Sequence, residues 1–441
     1  MAKVRLGQLV SRRDLLKRAA VTAGAVASAP ILGVCSPAPA AVKERELHIL
    51  QWVNFVREMD EEFIRQAEGW GKANKVKVKV ERIGGSDLQP RMAASVQAKT
   101  GPDIIGIQAN WAWLYADSLV DVGDVVEAVT KAPVGSFYDD IAMQAKVKGV
   151  WKAVPYWYNP GTYVYRTDWF KEAGVTTLPK TYDEFYKAGV TMKKYGKPFG
   201  QAMGHSFSDP NTFWYAFLWS HGGKEVGEDG KTVAINSKET LAAVERAIEF
   251  FDNVWTRGVL SWDDSSNNRA YLAEELSCTL NGASIYFVAR KDFPKIAQNS
   301  DHFGILAGPA GRYGQVLFGH HVIMNYSKNV AVAKDFLKYV MQPDNYSKWL
   351  QSGGGYMVGP SPYHEKDPVW KTDTKVLPFL EAVSSKVFRW PGWPGPPSTQ
   401  ASEALVRYII VDLFAKACSG EFKPIDSVNW AERQLKGIYK G

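Results

Sequence analysis

The sequence predicts an α/β protein, and three observations support that fold class. Short apolar strands alternate with helical segments of about 10 to 15 residues, an order typical of parallel βαβ units. Of the 441 residues, 46% are apolar and 22% are charged, as in an ordinary globular protein. The length corresponds to two or three domains at roughly 150 residues each.

The first elements follow one another closely along the chain. Residues 46–52 predict a strand, and Val76, Val78 and Val80 alternate with lysines in a second strand that has one solvated face. Helical spacing between them covers residues 58–70. A further helix over 88–99 leads to a third strand over 103–107. The order is therefore strand, helix, strand, helix, strand.

Later segments carry helix-start signals. Thr181 and Glu184 form a capping-box pattern, and Asn236 or Ser237 precedes a second helix. One apolar stripe is expected on that second helix: Leu241, Val244, Ile248, Phe251 and Trp255. Strand and helix alternate again over 303–350. Residues 391–397 are rich in Pro and Gly, but they contain Trp393, which favours an ordered loop over a flexible tether.

The first 40 residues have the composition of a cleavable export signal. A basic start is followed by a mildly apolar run over 19–34 and by an A-x-A ending at 38–40. The stretch from Ser11 to Lys17, with Arg12 and Arg13 at its centre, resembles the twin-arginine signal, which exports folded proteins from the bacterial cytoplasm. Two alternatives remain: a basic amphipathic helix kept in the mature chain, or lipidation at Cys35.

Charge and cysteine content exclude several classes of protein. The chain carries +7, but the first 40 residues hold six basic groups against one acid, so the remainder carries only +2. We therefore expect no nucleic-acid partner. The sequence contains no C-x-x-C, and no cofactor is expected. Pairing of Cys278 with Cys418 stays open. No later stretch reaches about 18 uninterrupted apolar residues, so we expect a soluble mature chain.

Six segments in series resemble one protein family. They read TGPDII at 100–105, DWFKEAG at 168–174, LPKTYDE at 178–184, HGG at 221–223, LNG at 280–282 and SKN at 327–329. Together they resemble the extracellular solute-binding proteins of bacterial ABC importers, in the carbohydrate-binding, maltose-binding-protein-like branch (family 1). The likeness runs from about residue 44 to the C-terminus.

The resemblance implies a two-lobe periplasmic-binding-protein fold of type II, with the ligand held in the cleft between the lobes. The first lobe would contain residues 42–154 and 310–357, and the second 155–309 and 358–441. Pro155 and Pro309 stand where the chain would change lobes, and they are the expected hinge. The resemblance also implies a periplasmic monomer that captures a sugar by lobe closure and delivers it to the transmembrane permease.

Candidate ligand-binding residues lie in the loops that follow strands, where α/β sheets place their ligands. Sugars have apolar C–H faces and polar edges, so their sites combine flat aromatic rings with amides, hydroxyls and carboxylates. We also single out the loop at 84–87. The candidate residues are Trp52, Asn54, Asn110, Trp111, Tyr156, Tyr158, Asn159, Asp209, Asn211, Trp262, Asp263, Asn281, Ser284, Tyr286, His320, Trp390 and Trp393.

Several of these candidates also have a purely structural interpretation. Trp52 can be a core anchor, because large aromatic side chains are mostly buried. Asp263 can be a solvated helix cap. Ser284 stands where the family commonly has Trp, so Trp390 or Trp393 would have to replace that stacking contact. His320 and His321 are adjacent in a strand, point to opposite faces and cannot chelate one metal together.

Two other functions remain open at this stage. An exported glycan hydrolase needs two carboxyl groups beside the scissile bond, and residues 263, 264, 274 and 275 are all acidic. No G-x-S-x-G, H-E-x-x-H or P-loop motif accompanies them. The second alternative is the same binding fold with a non-sugar ligand, such as a polyol, a polyamine or glycerol phosphate.

Overall fold

The computed structural model describes residues 45–131 and 133–440. The twin-arginine pattern, the A-x-A ending and Cys35 lie outside these residues. The described chain from residue 45 onward belongs to one compact unit. Its strands are β1 Arg45–Trp52, β2 Val76–Ile83, β3 Ile104–Gln108, β4 Lys146–Val147, β5 Val150–Trp151, β6 Val154–Pro160, β7 Thr162–Arg166, β8 Cys278–Asn281, β9 Ser300–Phe303, β10 Ala307–Gly308, β11 Gly311–Arg312, β12 Gly314–Ile323 and β13 Phe388–Arg389.

The larger sheet has six strands and is mixed. Its order is β13-β12-β3-β1-β2, and β6 also pairs with β12. Strand β1 lies parallel to both β2 and β3, as the alternation of strands and helices predicts. Strand β12 runs antiparallel to β3 and to β6. The carboxyl ends of β1, β2 and β3 therefore open onto one edge of this sheet.

A second sheet of three strands has the order β8-β7-β9. Both of its pairings are antiparallel, so the parallel arrangement expected from the sequence holds only in part. The two remaining pairs, β4 with β5 and β10 with β11, are two-residue hairpin ladders. The fold is thus α/β with two principal sheets.

Helices cover both sheets. The α-helices are Arg57–Asn74, Gly85–Ala98, Trp111–Leu114, Gly123–Val129, Asp139–Ala145, Thr167–Glu172, Tyr182–Lys194, Asp209–Ser220, Lys238–Asn253, Ser266–Leu272, Ser284–Asp292, Pro294–Gln298, Val330–Val340, Pro343–Ser352, Leu377–Ser384, Thr399–Val406, Ile409–Cys418 and Pro424–Ile438. Short 3₁₀ helices occur at Ala116–Ser118, Arg257–Ser261, Pro362–Lys366, Pro368–Lys371 and Thr374–Val376.

The predicted helix starts are confirmed. The Thr181 side chain accepts a bond from the Glu184 backbone N–H, and the Glu184 carboxylate accepts one from the Thr181 N–H. Ser237, not Asn236, caps the helix Lys238–Asn253. The buried face of that helix is shifted from the expected stripe: Val244 and Phe251 are buried, but Leu241 and Ile248 are only partly so.

Two strands of the larger sheet, β6 and β12, run side by side with a third segment around Val358. Strand β6 pairs with β12, and Tyr158 of β6 also exchanges two backbone hydrogen bonds with Val358 at 2.8 and 2.9 Å. Tyr158 thus lies between Phe318 of β12 and Val358. The expected lobe boundaries at 154/155 and 357/358 fall on these segments, and the one at 309/310 falls between β10 and β11. The division into lobes stays a prediction.

Two further features of the described residues bear on the sequence analysis. Within residues 45–131 and 133–440, every helix is too short or too polar to cross a membrane. Cys278 and Cys418 are both buried and unpaired, so the disulfide left open by the sequence is not formed here. Burial raises the pKa of both thiols.

Candidate functional site

A cavity of about 280 Å³ lies at the carboxyl ends of β1 and β2, where they face β8 of the second sheet. This volume is close to the lower end of small-molecule sites, about 300 to 1,000 Å³. The lining combines aromatic rings with hydroxyls, amides and carboxylates. It consists of Trp52, Val53, Phe55, Gly84, Gly85, Ser86, Asn159, Ser208, Asp209, Asp263, Asp264, Ser265, Asn281, Gly282, Ser284 and Tyr356.

The first wall of the cavity consists of the segments that follow β1 and β2. Trp52 ends β1, and its indole N–H donates to Asn54 Oδ1 at 2.7 Å. Asn54 is in turn held by Asp60, so the indole has a fixed orientation. Gly85 begins the helix that follows β2, and the Trp52 ring lies directly beside it. The first wall is therefore an oriented aromatic ring next to a helix start.

The second wall is a hydrogen-bonded network at the end of β8. Asn281 donates to Asp209 Oδ2 at 3.2 Å and to Asn268 Oδ1 at 2.8 Å. Ser284 donates to Asn281 Oδ1 at 2.8 Å, and Asn267 donates to Asp209 Oδ2 at 2.7 Å. The position of each side chain in this wall depends on its neighbours, so the wall is rigid before any ligand arrives.

The three carboxyl groups of the cavity differ in environment. Burial, together with the nearby Asp264, raises the pKa of Asp209 well above its usual value. Burial also raises the pKa of Asp264, although Ser206 and two backbone N–H groups donate to it. Around Asp263, burial is the largest single effect and raises the pKa, but the hydrogen bonds from Ser265 and Ser266 and the charge of Arg269 together outweigh it and lower the pKa to about 2. Asp263 is therefore ionised, whereas Asp209 and Asp264 hold protons more readily.

Six of the candidates from sequence line this one cavity. They are Trp52, Asn159, Asp209, Asp263, Asn281 and Ser284, and the predicted loop at 84–87 contributes Gly84, Gly85 and Ser86. Asn54 does not line it but orients Trp52. Separate segments of sequence thus meet at one place, as expected for loops that follow strands.

Two candidates after β3 are placed differently from the expectation. Asn110 and Trp111 are both fully buried, and the Trp111 ring packs edge-on against Phe207 with centroids 4.8 Å apart. The exposed aromatic surface expected of Trp111 is therefore absent. The reason is that the short helix Trp111–Leu114 follows β3 and packs its Trp111 indole into the hydrophobic core.

Strand β6 separates the candidates that it carries. Tyr156 and Tyr158 share one face and are buried there: the Tyr156 ring packs on His321 and Trp349, and Tyr158 donates to Asp140 at 2.6 Å. Asn159 points the other way, toward the cavity. The expectation that all three line one site is corrected by the two-residue period of the strand.

The remaining candidates also lie outside the cavity. Asn211 donates to the Phe207 carbonyl, Trp262 packs against Gly200, and Tyr286 donates to Asp373 at 2.7 Å. His320 is buried in β12, and burial lowers its pKa to about 3. Trp390 lines a different cavity of about 450 Å³, and Trp393 packs against Tyr313 and Trp219. The aromatic rings from the C-terminal segment thus do not replace the missing family Trp at Ser284.

Sequence analysis missed Tyr356 and Phe55 as lining residues. Tyr356 is buried, and its hydroxyl accepts a hydrogen bond from Asn159 Nδ2 at 3.1 Å. It lies two residues before Val358, at the third crossing segment. Val358 lies at an expected lobe boundary, and this was the signal from which Tyr356 could have been found. No grouping of three or more His, Cys, Asp or Glu suited to a metal occurs within the described part of the chain.

Comparison with known proteins gives the family. A model of the bacterial extracellular solute-binding protein family matches residues 66–378, more than two thirds of the chain. The chain belongs to this family. The description of the family places the chain outside the cytoplasm, and its members are binding components of transporters rather than enzymes.

Individual relatives are distant but span most of the chain. A probable ABC transporter-binding protein of Deinococcus radiodurans is 22% identical over 410 residues, covering 89% of this chain and 95% of that protein. The diacetylchitobiose binding protein DasA of Streptomyces coelicolor is 23% identical over 304 residues, covering 66% of this chain and 68% of that protein.

Solved structures share the fold. Maltose-bound MalE3 of T. maritima has a TM-score of 0.77 and 19% identity, covering 89% of this chain and 99% of that one. A sugar transporter from Arthrobacter chlorophenolicus with bound laminaribiose has a TM-score of 0.79 and 14% identity, with the same coverage. The two-lobe periplasmic-binding-protein architecture predicted from sequence is thereby confirmed.

Proposed function

We propose that this protein captures a carbohydrate and delivers it to the permease of an ABC importer. The observation that carries the proposal is the cavity between β1, β2 and β8, where Trp52 faces a rigid network of amides, hydroxyls and carboxylates. That combination suits a ligand with apolar C–H faces and polar edges. The similarity to proteins described with bound maltose, with bound laminaribiose and as a diacetylchitobiose binding protein supports a sugar.

Closure of two lobes around the ligand is part of this proposal. Trp52 and Ser86 approach from the larger sheet, and Asn281 and Asp209 approach from the second. A ligand bound to one wall alone would leave its other polar edge in water. Binding therefore favours the arrangement in which both walls meet, and the β6 and β12 crossings are the proposed hinge.

We propose binding without turnover. Of the acids considered for a hydrolase, Glu274 pairs with Arg166 at 2.6 Å and does not line the cavity. Asp263 and Asp264 are neighbours in sequence on the same wall, whereas a hydrolase needs carboxyl groups that flank the bond from two sides. The ligand should be recovered unchanged, and the protein should act as a monomer.

The first test of the proposal is Trp52→Ala, measured by calorimetry over a panel of mono- and disaccharides. Loss of the indole should weaken binding by about 1 to 2 kcal/mol, roughly 5- to 30-fold in Kd, because the ring buries an apolar sugar face. Trp430→Ala is the matched control, since Trp430 lies on the C-terminal helix far along the chain and lines none of these walls. Equal affinity of the Trp52→Ala and unsubstituted proteins would refute this site.

Trp390→Ala distinguishes the two cavities. Trp390 lines the cavity of about 450 Å³ together with Phe137 and Tyr138. If Trp390→Ala weakens sugar binding while Trp52→Ala does not, the ligand occupies that second cavity instead. If only Trp52→Ala weakens it, the proposed site stands.

Export through the twin-arginine pathway is also proposed, from the Arg12-Arg13 pair and the segments around it. Double substitution by lysine should hold the precursor in the cytoplasm, because the signal is read through the guanidinium pair rather than through charge alone. Cell fractionation measures the periplasmic share. Arg18→Lys is the control that should leave export unchanged, and undiminished export of the double variant would contradict the assignment.

A further inference from the structure

The ionisable side chains that line the proposed sugar cavity are all acids. Asp209, Asp263 and Asp264 line it, and no Lys, Arg or His does so among residues 45–131 and 133–440. Asp263 has a cation nearby, since Arg269 lies 3.5 Å from its carboxylate. Asp209 and Asp264 accept hydrogen bonds only from amides, hydroxyls and backbone N–H groups. Two neighbouring carboxyl groups therefore face this cavity without a counter-cation.

Such a pair is costly to ionise. Asp209 is only 7% exposed, and the field of Asp264 adds to the effect of its burial. Removing a carboxylate from water is unfavourable unless an opposite charge accompanies it. A neutral sugar hydroxyl would donate a hydrogen bond to these groups but would supply no charge. A ligand that carries a positive charge would supply the counter-charge that the protein does not place beside these two carboxyl groups.

A second observation independently calls for a hydrogen-bond donor from the ligand. Asn159 is 9% exposed and lines the cavity, and its Oδ1 has no hydrogen-bond partner among the described residues. Its Nδ2 is already used on Tyr356. Oδ1 lies against Gly282, another lining residue, at a position where a Cβ on residue 282 would approach to 2.4 Å. A buried acceptor left unsatisfied costs about 1 to 3 kcal/mol, and an N–H donor of the ligand would satisfy it once the Asn159 side chain turned toward the cavity.

We propose that the captured solute is an amino sugar whose protonated amine binds at the Asp209–Asp264 pair. This inference rests on the proposed carbohydrate function and names the class of sugar within it. An ammonium group has three donors and no acceptor, which matches a wall of carboxylates and an unpaired amide oxygen. The Trp52 ring adds favourable interaction with a cation above its face. Sugar phosphates and uronic acids are disfavoured by the same acids.

The test compares three disaccharides that differ only at C2: the β-1,4-linked glucosamine dimer, its di-N-acetylated form, and cellobiose. Calorimetry with the purified protein should give the glucosamine dimer at least about 10-fold tighter binding than either of the others, since each of those lacks the charge. Cellobiose binding as tightly as the amine would overturn the inference and leave the carbohydrate function intact. Binding of the N-acetylated form most tightly would do the same.

Charge removal at Asp209 gives a second readout. Asp209→Asn keeps the shape of the side chain and should reduce the preference for the amine to within about threefold. Asp252→Asn, which removes an equal charge from an exposed ion pair with Arg257, should leave the preference unchanged. A preference that persists in Asp209→Asn overturns the assignment of the amine to this pair. If Asp209→Asn does not fold, the ratio of the Kd values of the three disaccharides on the unsubstituted protein still decides whether the protein prefers the amino sugar.

Failure of the inference and failure of the proposed function give different results. If none of the three disaccharides binds but maltose or laminaribiose does, the amino-sugar inference is overturned and carbohydrate capture stands. If no sugar binds and spermidine does, both are overturned, and the acid pair serves a polyamine. Preference for the glucosamine dimer that depends on Asp209 supports both.

Discussion

Replacing Trp111 by alanine should lower the free energy of unfolding by about 3 to 5 kcal/mol, the usual cost of removing a large buried aromatic side chain. Trp111 has no exposed surface, and its ring packs on Phe207 within the core that surrounds the helix Asp209–Ser220. Its loss leaves a cavity that the surrounding helices cannot fully close. Urea unfolding followed by circular dichroism measures the change.

Trp113→Ala is the matched control. Trp113 is only partly buried, and its indole N–H donates to the Met143 carbonyl at 3.2 Å. Its replacement should cost about 1 to 2 kcal/mol, because part of the ring is already in water. If Trp111→Ala instead left stability unchanged and weakened ligand binding, the sequence-based interpretation of Trp111 as a sugar platform would be restored.

Glu225 should make the protein less stable as the pH rises from about 4.3 to 7. Its carboxyl group is fully buried, and that burial raises its pKa to about 7, although Tyr439 and Tyr215 donate to it at 2.6 and 3.0 Å. Between the unfolded pKa and the folded pKa, the folded chain holds a proton that the unfolded chain has released. Each further pH unit in this window therefore favours unfolding, and the contribution levels off above about pH 7 at a total of about 4 kcal/mol.

The measurement is the difference between the unsubstituted protein and Glu225→Gln in urea unfolding at several pH values. A difference is needed because buried histidines act in the opposite sense. Burial lowers the pKa of both His320 and His321 to about 3, so they favour folding as the pH rises toward about 6.5. Between pH 5 and about 7, the unsubstituted protein should lose stability relative to Glu225→Gln, because only the unsubstituted protein has this carboxyl group. An identical pH profile for the two proteins would show that Glu225 does not hold a proton in the folded chain over this pH range.

Local sequence determined the elements and part of the binding wall. Thr181 with Glu184, and Ser237, cap helices through bonds within four residues, so their pattern is readable without the fold. Trp52 and the 84–87 loop follow strands whose alternation and apolar character are local properties. Asn281 and Asp209 were found through the likeness of flanking segments to one family. Trp52 and the 84–87 loop meet because the carboxyl ends of the parallel strands β1 and β2 share one edge, whereas Asn281 and Asp209 reach the cavity from the second, antiparallel sheet and the helix beside it.

Tertiary packing decided which aromatic side chains are exposed and which carboxyl groups have no cation beside them. Trp52 and Trp111 both lie at the carboxyl end of a strand and within two residues of an asparagine, yet one lines the cavity and the other is buried against Phe207. Asn159 faces the cavity while Tyr158 does not, because the pairing of β6 with β12 fixes the face that each residue takes. The acid pair brings Asp264 against the start of the helix at Asp209, about 55 residues away in sequence. Burial and charge compensation depend on such distant neighbours, so a single sequence does not contain them in any local pattern.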